Sequence, residues 1–187
     1  HRINSLDQKI NQFKKLKLDF LIIIKFNKKF SRLTAEKFIE KIIFKKTKCK
    51  YLYVSNNFRF GFKRKGNIRT LKKFEKKFNY KNLIVKPLKK KNNVISSTLI
   101  RKKIREGKIK EANKLLNRNW SVDGKVIKGR KRGRKIGFPT CNLKMGNYVI
   151  PRLGVYAVKV KTSDFYKNGV ANVGYRPTFN GQSLLLE

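Results

Sequence analysis

The feature that most constrains the fold is an alternation between two kinds of apolar pattern across residues 1–116. Continuous apolar runs at residues 20–24, 51–54 and 83–85 are separated by stretches in which apolar residues recur at every third or fourth position. A short run rich in β-branched residues suits a strand buried on both faces of a parallel sheet, and the recurring pattern is typical of amphipathic helices. Because such strands alternate with helices, this part of the chain is predicted to form an α/β layer with a parallel sheet.

Helix limits follow from the same pattern. Ser5 and Gln8 have the spacing of a capping box, which predicts a helix beginning there. Further helices are predicted from about Thr34 and over residues 104–116, with a break near Gly107. The apolar stripes of the predicted helices are, in chain order, Leu6, Ile10, Phe13 and Leu16; Phe38, Ile39, Ile42 and Ile43; Ile68, Leu71, Phe74 and Phe78; and Ile109, Ala112, Leu115 and Leu116.

The composition changes at Trp120. From there, short alternating apolar segments at residues 122–127, 155–160 and 165–172 are separated by Gly, Pro and Asn. This pattern predicts an antiparallel sheet, and closing the sheet into a barrel would remove its exposed edges. We therefore expect one domain over residues 1–116, a linker at 117–119 and a second domain over 120–187.

The charge of the chain is extreme. It has 50 Lys and Arg residues against 10 Asp and Glu, a net charge of +40, which attracts phosphates, nucleic acids and anionic surfaces. One interpretation is a basic nucleic-acid-binding module without enzymatic activity. The other is a general preference for lysine in the source proteome. Since the lysines are spread along every segment instead of being clustered, we favour the second and expect no specific nucleic-acid partner.

Cysteine content and hydropathy indicate the cellular compartment in which the protein is expected. Cys49 and Cys141 are too few and too far apart to predict a disulfide framework or a zinc site. No stretch approaches the length of apolar sequence that a membrane span needs, and the first residues lack the apolar core of a signal peptide. These observations favour a cytoplasmic protein without a membrane partner. The chain starts at His1 and stops at Glu187 directly after an apolar run, so we expect a fragment of a longer protein.

Residues 124–142 combine glycines with a dense run of lysines and arginines and close on Pro139-Thr140-Cys141-Asn142. Glycine lets consecutive backbone N–H groups turn toward one anion, and the basic side chains add charge there. Thr140 and Asn142 offer the hard oxygen ligands that Mg²⁺ accepts beside substrate phosphates. The stretch is interpreted either as a nucleotide-phosphate loop or as a solvated basic hairpin.

The spacing within this stretch resembles the riboflavin kinase family. Residues 129–142 match the pattern G-x-x-x-G-R-x-x-G-F-P-T-x-N. Further parts of the family pattern follow in order: Gly154-Val155-Tyr156-Ala157, Asn172-Val173-Gly174, Arg176-Pro177-Thr178-Phe179 and Glu187. Several separate matches in the right order are more specific than any one alone, and they favour the phosphate-loop interpretation.

A second resemblance lies upstream. Residues 95–101, Ile-Ser-Ser-Thr-Leu-Ile-Arg, look like the nucleotidyltransferase signature of the bacterial bifunctional family in which a flavokinase follows an FMN adenylyltransferase, or FAD synthetase. The resemblance implies an incomplete Rossmann-like nucleotidyltransferase domain over residues 1–116. It also implies part of a small antiparallel flavokinase β-barrel over residues 120–187. The implied substrates and products are ATP, riboflavin, FMN and FAD, with Mg²⁺ bound to ATP.

For the kinase, the resemblance implies phosphoryl transfer from ATP to riboflavin. Glu187 matches the family's catalytic carboxylate, which accepts the proton of the riboflavin hydroxyl. Thr140 and Asn142 match the positions at Mg²⁺ and the phosphates, and Pro139 fixes the backbone before Thr140. The remaining implied nucleotide-binding residues are Gly133, Arg134, Gly137 and Phe138.

For the adenylyltransferase, the resemblance implies that the helix start at Ser97 and Thr98 meets ATP phosphates, with Arg101 adding charge. By the residues alone, this Ser-Ser-Thr run would also serve as a simple helix cap. Residues 55–61 are similar to the family's G-x-D-F-x-F-G segment near the flavin. The implied flavin-binding residues are Asn57, Phe58 and Phe60, although packing of the two rings beneath the loop fits the residues equally well.

Three departures from the family pattern concern FAD formation. Ser55 stands where the family has Gly, and Asn57 where it has Asp. The family's His-x-Gly-His motif is missing, since His1 is the only histidine. We therefore expect the chain as given not to make FAD and to bind riboflavin poorly. In the full-length protein the first domain either converts FMN to FAD or, as Ser55 and Asn57 suggest, is an inactive domain retained beside a working kinase.

Overall fold

The computed structural model describes residues 1–90, 93–127, 137, 140–162, 165–178 and 181–187, without side-chain detail at 176–178 and 181–183. These residues form two compact units. The first unit comprises residues 20–94, and the second comprises residues 1–19 together with 95–187. Residues 117–119 lie within the second unit, so compactness does not divide the chain at the predicted linker. The limits of the two sequence domains stay a prediction.

The first unit contains a short parallel sheet and several helical segments. Strand β1 (Tyr51–Ser55) pairs in parallel with β2 (Lys81–Val85), with Tyr51 opposite Lys81 and Ser55 opposite Val85. A hairpin of β3 (Lys89–Lys90) and β4 (Asn93–Val94) follows. The helical segments are α2 (Lys28–Ser31), α3 (Ala35–Phe38), a π-helix (Ile39–Thr47), a 3-10 turn (Phe62–Arg64), α4 (Ile68–Lys73) and α5 (Glu75–Phe78).

The core of the first unit lies between these helices and the two strands. Its buried members are Ala35, Ile39, Ile43, Val54, Phe60, Leu71 and Tyr80. The helix predicted from Thr34 is confirmed, since Thr34 accepts a hydrogen bond from the backbone of Lys37 at its start. Gly61 approaches this helix so closely that a Cβ atom would lie 2.7 Å from the Cα of Ala35, and its φ of +72° favours glycine as well.

The predicted strand at residues 20–24 is wrong. This segment pairs with no strand in the described part of the chain, and Phe20 is 89% exposed. A buried parallel strand needs hydrogen-bonded neighbours and helices over its faces. The parallel sheet of the described residues consists of β1 and β2 alone. The apolar run therefore indicates a tendency toward burial but does not supply the neighbour that would create a strand.

Polar anchors fix β2 against α5. The backbone N–H and the side-chain Nδ2 of Asn82 donate to Glu75 Oε1 at 2.7 and 2.8 Å. These hydrogen bonds hold the pKa of the Glu75 carboxyl below its ordinary value. Nearby, the hydroxyl of Tyr80 donates to the Leu71 carbonyl at 2.6 Å, and burial raises the pKa of Tyr80 to about 12.

A helical hairpin and an amino-terminal helix belong to the second unit. Helices α6 (Ser97–Arg105) and α7 (Ile109–Leu116) are separated at Gly107, whose φ of +75° ends the first of them, as predicted. Helix α1 (Leu6–Lys15) begins with the predicted Ser5–Gln8 capping box. None of the helices that the structure describes has the length and apolar character needed to cross a bilayer.

The amino-terminal segment is tied to the rest of the second unit by hydrogen bonds. The indole N–H of Trp120 donates to the Ile3 carbonyl at 2.8 Å, and Gln8 Nε2 donates to Ser121 Oγ at 3.0 Å. Ile3 and Trp120 also pack against a core cluster that contains Ile100, Ile104, Ala112 and Val149. The first residues of the chain thus complete the core beneath the hairpin.

The antiparallel sheet predicted after Trp120 is confirmed. Its strands are β5 (Val126–Ile127), β6 (Asn142–Lys144), β7 (Gly154–Lys161), β8 (Tyr166–Thr178) and β9 (Gly181–Leu186), in the spatial order β5-β6-β9-β8-β7. Among the described residues no strand pairing joins the two outer strands. The closed barrel therefore stays a prediction.

Candidate functional site

One row of residues crosses all five strands of the antiparallel sheet. Ile127 pairs with Asn142, and Val155 pairs with Asn172. Leu143 pairs with Leu186, so the next position along places Asn142 opposite Glu187. Directly opposed residues of neighbouring strands point their side chains to the same face.

Glu187 lies at the centre of this row. Its backbone N–H donates to the Asn172 carbonyl at 3.0 Å, and the Asn172 N–H donates to the Glu187 carbonyl at 2.7 Å. Exchange of both hydrogen bonds defines a closely held antiparallel pair. The row therefore runs Ile127, Asn142, Glu187, Asn172 and Val155, with the carboxylate flanked on both sides by asparagines.

Thr140 joins the same cluster. Its hydroxyl Oγ1 donates to Glu187 Oε1 at 2.8 Å. Thr140 lies two residues before Asn142, just ahead of β6. The family resemblance implies that Thr140 lies at the metal and phosphates and Glu187 at the riboflavin hydroxyl. The structure brings these two residues into direct contact, although they are far apart in the sequence.

Asn142 is buried and, like Asn82 in the first unit, has an amide oxygen without a hydrogen-bond partner among the described residues. Only 4% of the residue is exposed, and the unpaired atom is Oδ1. Leaving a buried acceptor unsatisfied costs about 1–3 kcal/mol. A cost of this size is commonly retained where a ligand completes the site. The amide oxygen of Asn142 is therefore a candidate ligand position.

The donor set fits a hard divalent cation. The Thr140 hydroxyl still has oxygen lone pairs when its proton is donated to Glu187. With the Asn142 amide oxygen, it offers neutral oxygen ligands of the kind that Mg²⁺ accepts beside substrate phosphates and water. Within the described residues no group of three His, Cys, Asp or Glu side chains could hold a metal ion by itself.

The loop that precedes Thr140 is described at one position. Gly137 has a φ of +80°, a conformation that favours glycine, and a Cβ atom there would meet no atom within 4 Å. Glycine is thus favoured at this position by the positive φ angle and not by a lack of space for a side chain. The other residues predicted to form the nucleotide loop, Gly133, Arg134, Phe138 and Pro139, lie outside the described residues.

The predicted phosphate contacts at α6 also lie in the second unit. Ser96 is the capping residue and accepts a hydrogen bond from the Leu99 N–H at 3.2 Å. Ser97 and Thr98 follow in the first turn and are exposed. Arg101 Nε donates to the His1 carbonyl at 3.1 Å. The exposed hydroxyls remain available to a ligand, and Arg101 also holds the amino-terminal segment through its Nε.

The predicted flavin residues lie in the first unit, in the loop after β1. Asn57 Oδ1 accepts a hydrogen bond from Ser55 Oγ at 2.9 Å, so the two residues that depart from the family pattern are partners. The rings of Phe58 and Phe60 stack with centroids 5.4 Å apart. Phe60 is only 7% exposed and belongs to the core, and a Cβ atom at Gly66 would lie 2.9 Å from its ring. Direct contact between Phe60 and a flavin would require this loop to move, so core packing explains Phe60 better.

Sequence reasoning left open whether Asn172 touches a ligand or shapes a turn and favoured the turn, and it gave Val155 no role in the site. Asn172 belongs to the Asn-Val-Gly part of the family pattern, but that pattern carries no information about which strand lies next to Glu187. Its place beside the carboxylate depends on strand register. The Asn-Val-Gly motif drew attention to this residue, but only the strand pairing shows that Asn172 lies beside Glu187.

Comparison with known protein families covers most of the chain. Residues 1–99 match the FAD synthetase family, and residues 116–187 match the riboflavin kinase family. A bifunctional riboflavin kinase/FMN adenylyltransferase of Buchnera aphidicola from Schizaphis graminum is 42% identical over 182 residues, which are 95% of this chain and 58% of the relative. The enzyme of the same description from Haemophilus influenzae is 39% identical, over 100% of this chain and 61% of the relative.

A solved structure matches this chain over nearly its whole length, as the sequence relatives do. A crystal structure from Streptococcus pneumoniae, described as a macrolide-efflux protein, is similar with a TM-score of 0.84 and 31% identity. The match covers 98% of this chain and 59% of that protein. The chain thus spans about three fifths of the length of the relatives that it matches.

Proposed function

The chain belongs to the family of bacterial bifunctional riboflavin kinase/FMN adenylyltransferases, a family of transferases, and on that premise we propose that the full-length protein makes FMN from riboflavin and ATP and then converts FMN to FAD. The kinase reaction is assigned to residues 120–187. The adenylyltransferase is assigned to a domain that includes residues 1–116. FMN formation is the reaction for which the described residues provide the fuller site.

The contact between Thr140 and Glu187 carries this proposal. The Oγ1–Oε1 distance of 2.8 Å joins a residue of the nucleotide loop to the only carboxylate of the strand row. A kinase needs its metal-bound phosphate and its general base within a few ångströms of each other, because the attacked phosphorus and the attacking oxygen meet between them. The two residues are 47 positions apart in the sequence, and their contact supports this arrangement.

Glu187 is proposed as the general base. Its carboxylate accepts the proton of the ribityl 5′-hydroxyl of riboflavin as that oxygen attacks the γ-phosphorus of ATP. The new oxygen–phosphorus bond forms while the bond from the γ-phosphorus to the β,γ-bridging oxygen breaks, and ADP leaves. The hydrogen bond from Thr140 holds the carboxylate in one orientation, which reduces the cost of aligning the base.

Thr140 and Asn142 are proposed to hold Mg²⁺ together with ATP. The orphaned Asn142 Oδ1 and the Thr140 hydroxyl are the oxygens that fit it. When bound, Mg²⁺ neutralises negative charge on the phosphates during transfer. Gly133, Arg134, Gly137, Phe138 and Pro139 are assigned to nucleotide binding because they match the family's glycine-rich phosphate motif.

FMN adenylylation is proposed for the first domain of the full-length protein. Ser97, Thr98 and Arg101 are assigned to ATP, and Asn57 and Phe58 to the flavin. The exposed hydroxyls in the first turn of α6 support the nucleotide assignment, because the N-terminus of a helix favours anions. Phe60 is assigned to the core that supports the loop.

The test is an assay of the full-length protein with riboflavin, ATP and magnesium chloride, in which FMN and FAD are separated by chromatography. Glu187→Gln keeps the shape of the side chain and removes the base, and we expect FMN formation to fall about 10²- to 10⁴-fold. Glu36→Gln, the same change at an exposed carboxylate of the first unit, is the matched control and should leave the rate unchanged.

Two results would contradict the kinase assignment. One is a full-length protein that makes no FMN under these conditions. The other is a Glu187→Gln variant that keeps the unmodified rate, since the general base would then have to be another residue.

A further inference from the structure

We propose that Asn172 binds the acceptor substrate, so that riboflavin lies over β8 and β7 while the nucleotide lies over β6. This inference rests on the proposed kinase function and names the side of Glu187 from which each substrate arrives. It adds a substrate-binding residue that the resemblance did not identify.

Glu187 follows β9, which lies between β6 on one side and β8 on the other. On one flank, β6 carries Asn142, and Thr140 contacts the carboxylate directly. On the other flank, β8 presents Asn172, which is held to Glu187 by two backbone hydrogen bonds. If the oxygens of Thr140 and Asn142 face the metal and phosphates, the space for the attacking alcohol remains on the side of Asn172.

The direction of the Asn172 side chain is fixed by its strand. The neighbouring residues Ala171 and Val173 are 6% and 2% exposed and anchor the inner face of β8. Because side chains alternate along a strand, Asn172 points to the opposite face and is exposed there. It shares that face with Glu187.

The carboxamide lies over a residue without a side chain. A Cβ atom at Gly174 would lie 3.4 Å from Asn172 Nδ2 and 4.0 Å from its Oδ1. Gly174 is the next residue on the same face of β8, and its lack of a side chain leaves room for the amide to extend along the strand. The group thus offers a hydrogen-bond donor and an acceptor beside the carboxylate.

The chemistry of the row matches the chemistry of riboflavin. Next to Asn172, on β7, lies Val155, which is 70% exposed. From Glu187 outward, the face therefore offers a carboxylate, then an amide, then an apolar side chain, over two strand spacings of about 5 Å each. Riboflavin presents its reactive hydroxyl, then a polyol chain, then a largely apolar ring system. The amide can donate to one ribityl hydroxyl and accept from another.

The test uses the full-length protein and compares Asn172→Ala with Asn168→Ala. Asn168 is an exposed asparagine on the same face of the same strand, opposite Lys159 and away from Glu187. Loss of one or two neutral hydrogen bonds predicts a three- to tenfold rise, roughly, in the KM for riboflavin and in its Kd measured by flavin fluorescence without ATP. The KM for ATP should not change, and Asn168→Ala should resemble the unmodified enzyme.

Asn172→Leu provides a second variant, because it keeps a similar side-chain shape and removes both polar atoms. It should weaken riboflavin binding to the same extent as Asn172→Ala. Circular dichroism of each variant checks that the sheet has formed.

The inference would be overturned if the Kd for riboflavin were unchanged in both variants, or if only kcat fell, since Asn172 would then act through Glu187. It would also be overturned by an equal effect of Asn168→Ala. These outcomes are distinct from failure of the proposed function, in which the unmodified full-length protein makes no FMN at all.

Discussion

The loop after β1 and the strand row through Glu187 were both indicated by family motifs, yet the fold uses their residues differently. In the loop, Phe60 is enclosed by the core and stacked with Phe58. Along the row, Asn142 keeps a buried oxygen without a partner among the described residues, and Glu187 accepts a hydrogen bond from the nearby Thr140. A motif residue held on a hydrogen-bonded strand can face a ligand while the ladder supplies stability. A large apolar residue in a loop contributes most by packing.

Asn142 provides the sharpest test of this contrast. Asn142→Leu replaces an orphaned buried oxygen by methyl groups of similar shape, so the free energy of unfolding should be unchanged or higher. FMN formation by the full-length protein should fall about a thousandfold, because a ligand for Mg²⁺ and ATP is lost. Chemical denaturation and an FMN assay give the two quantities. A variant that is much less stable but fully active would show that Asn142 serves the fold and not ligand binding.

Phe60 should show the opposite behaviour. Phe60→Ala removes a buried ring from the core of the first unit and should lower its free energy of unfolding by about 3 kcal/mol. The rate of FMN formation should change little, since the kinase residues belong to the second unit. Phe58→Ala, at a less buried ring, is the matched control and should cost less. Equal losses of stability in the two variants would show that Phe60 contributes no more to the core than Phe58.

Trp120 tests how the second unit is held together. Trp120→Phe keeps the ring packing but removes the indole N–H that donates to the Ile3 carbonyl. Loss of one hydrogen bond in a partly buried setting should lower stability by about 1 kcal/mol. The thermal midpoint of unfolding measures this change, with Phe13→Leu at an exposed ring of α1 as a comparison. No shift in the midpoint would show that packing alone fixes the amino-terminal segment.

The smallest effect is expected from Glu75 and depends on pH. Hydrogen bonds from Asn82 lower the pKa of the Glu75 carboxyl below its ordinary value of 4.5, so its contribution is present above that pH. The contribution is lost as the pH falls through the lowered pKa of the folded state. The thermal midpoint should therefore decline more steeply below pH 4.5 in the unmodified protein than in Glu75→Gln. Parallel pH profiles of the two proteins would exclude Glu75 as a source of the decline.

Local features of the fold were predictable from the sequence. The capping box at Ser5, the helix start at Thr34 and the break at Gly107 depend on residues within a few positions of each other. The antiparallel strands after Trp120 were predictable for a similar reason. Neighbouring strands β7 and β8 follow one another in the chain, so their pairing requires only a short connection.

Features that depend on distant partners were not predictable in the same way. Residues 20–24 have the composition of a buried strand, but no partner strand is described beside them. The position of Asn172 beside Glu187 depends on the register between β8 and β9, and that of Asn142 depends on the register between β6 and β9. Register is not encoded in any one segment, so the motif could name Glu187 and Thr140 without revealing what flanks them.

The hydrogen bonds that join Trp120 to Ile3 and Gln8 to Ser121 matter for dividing the protein into separate domains. Residues 1–19 match the FAD synthetase family, yet they fold against the riboflavin kinase region. A truncated protein that begins at residue 116, where the riboflavin kinase match starts, would lack the Ile3 carbonyl that accepts the hydrogen bond from Trp120. It would also lack helix α1, which Gln8 joins to Ser121. Domain swaps between relatives should therefore exchange the amino-terminal nineteen residues of this chain along with the strands of the antiparallel sheet.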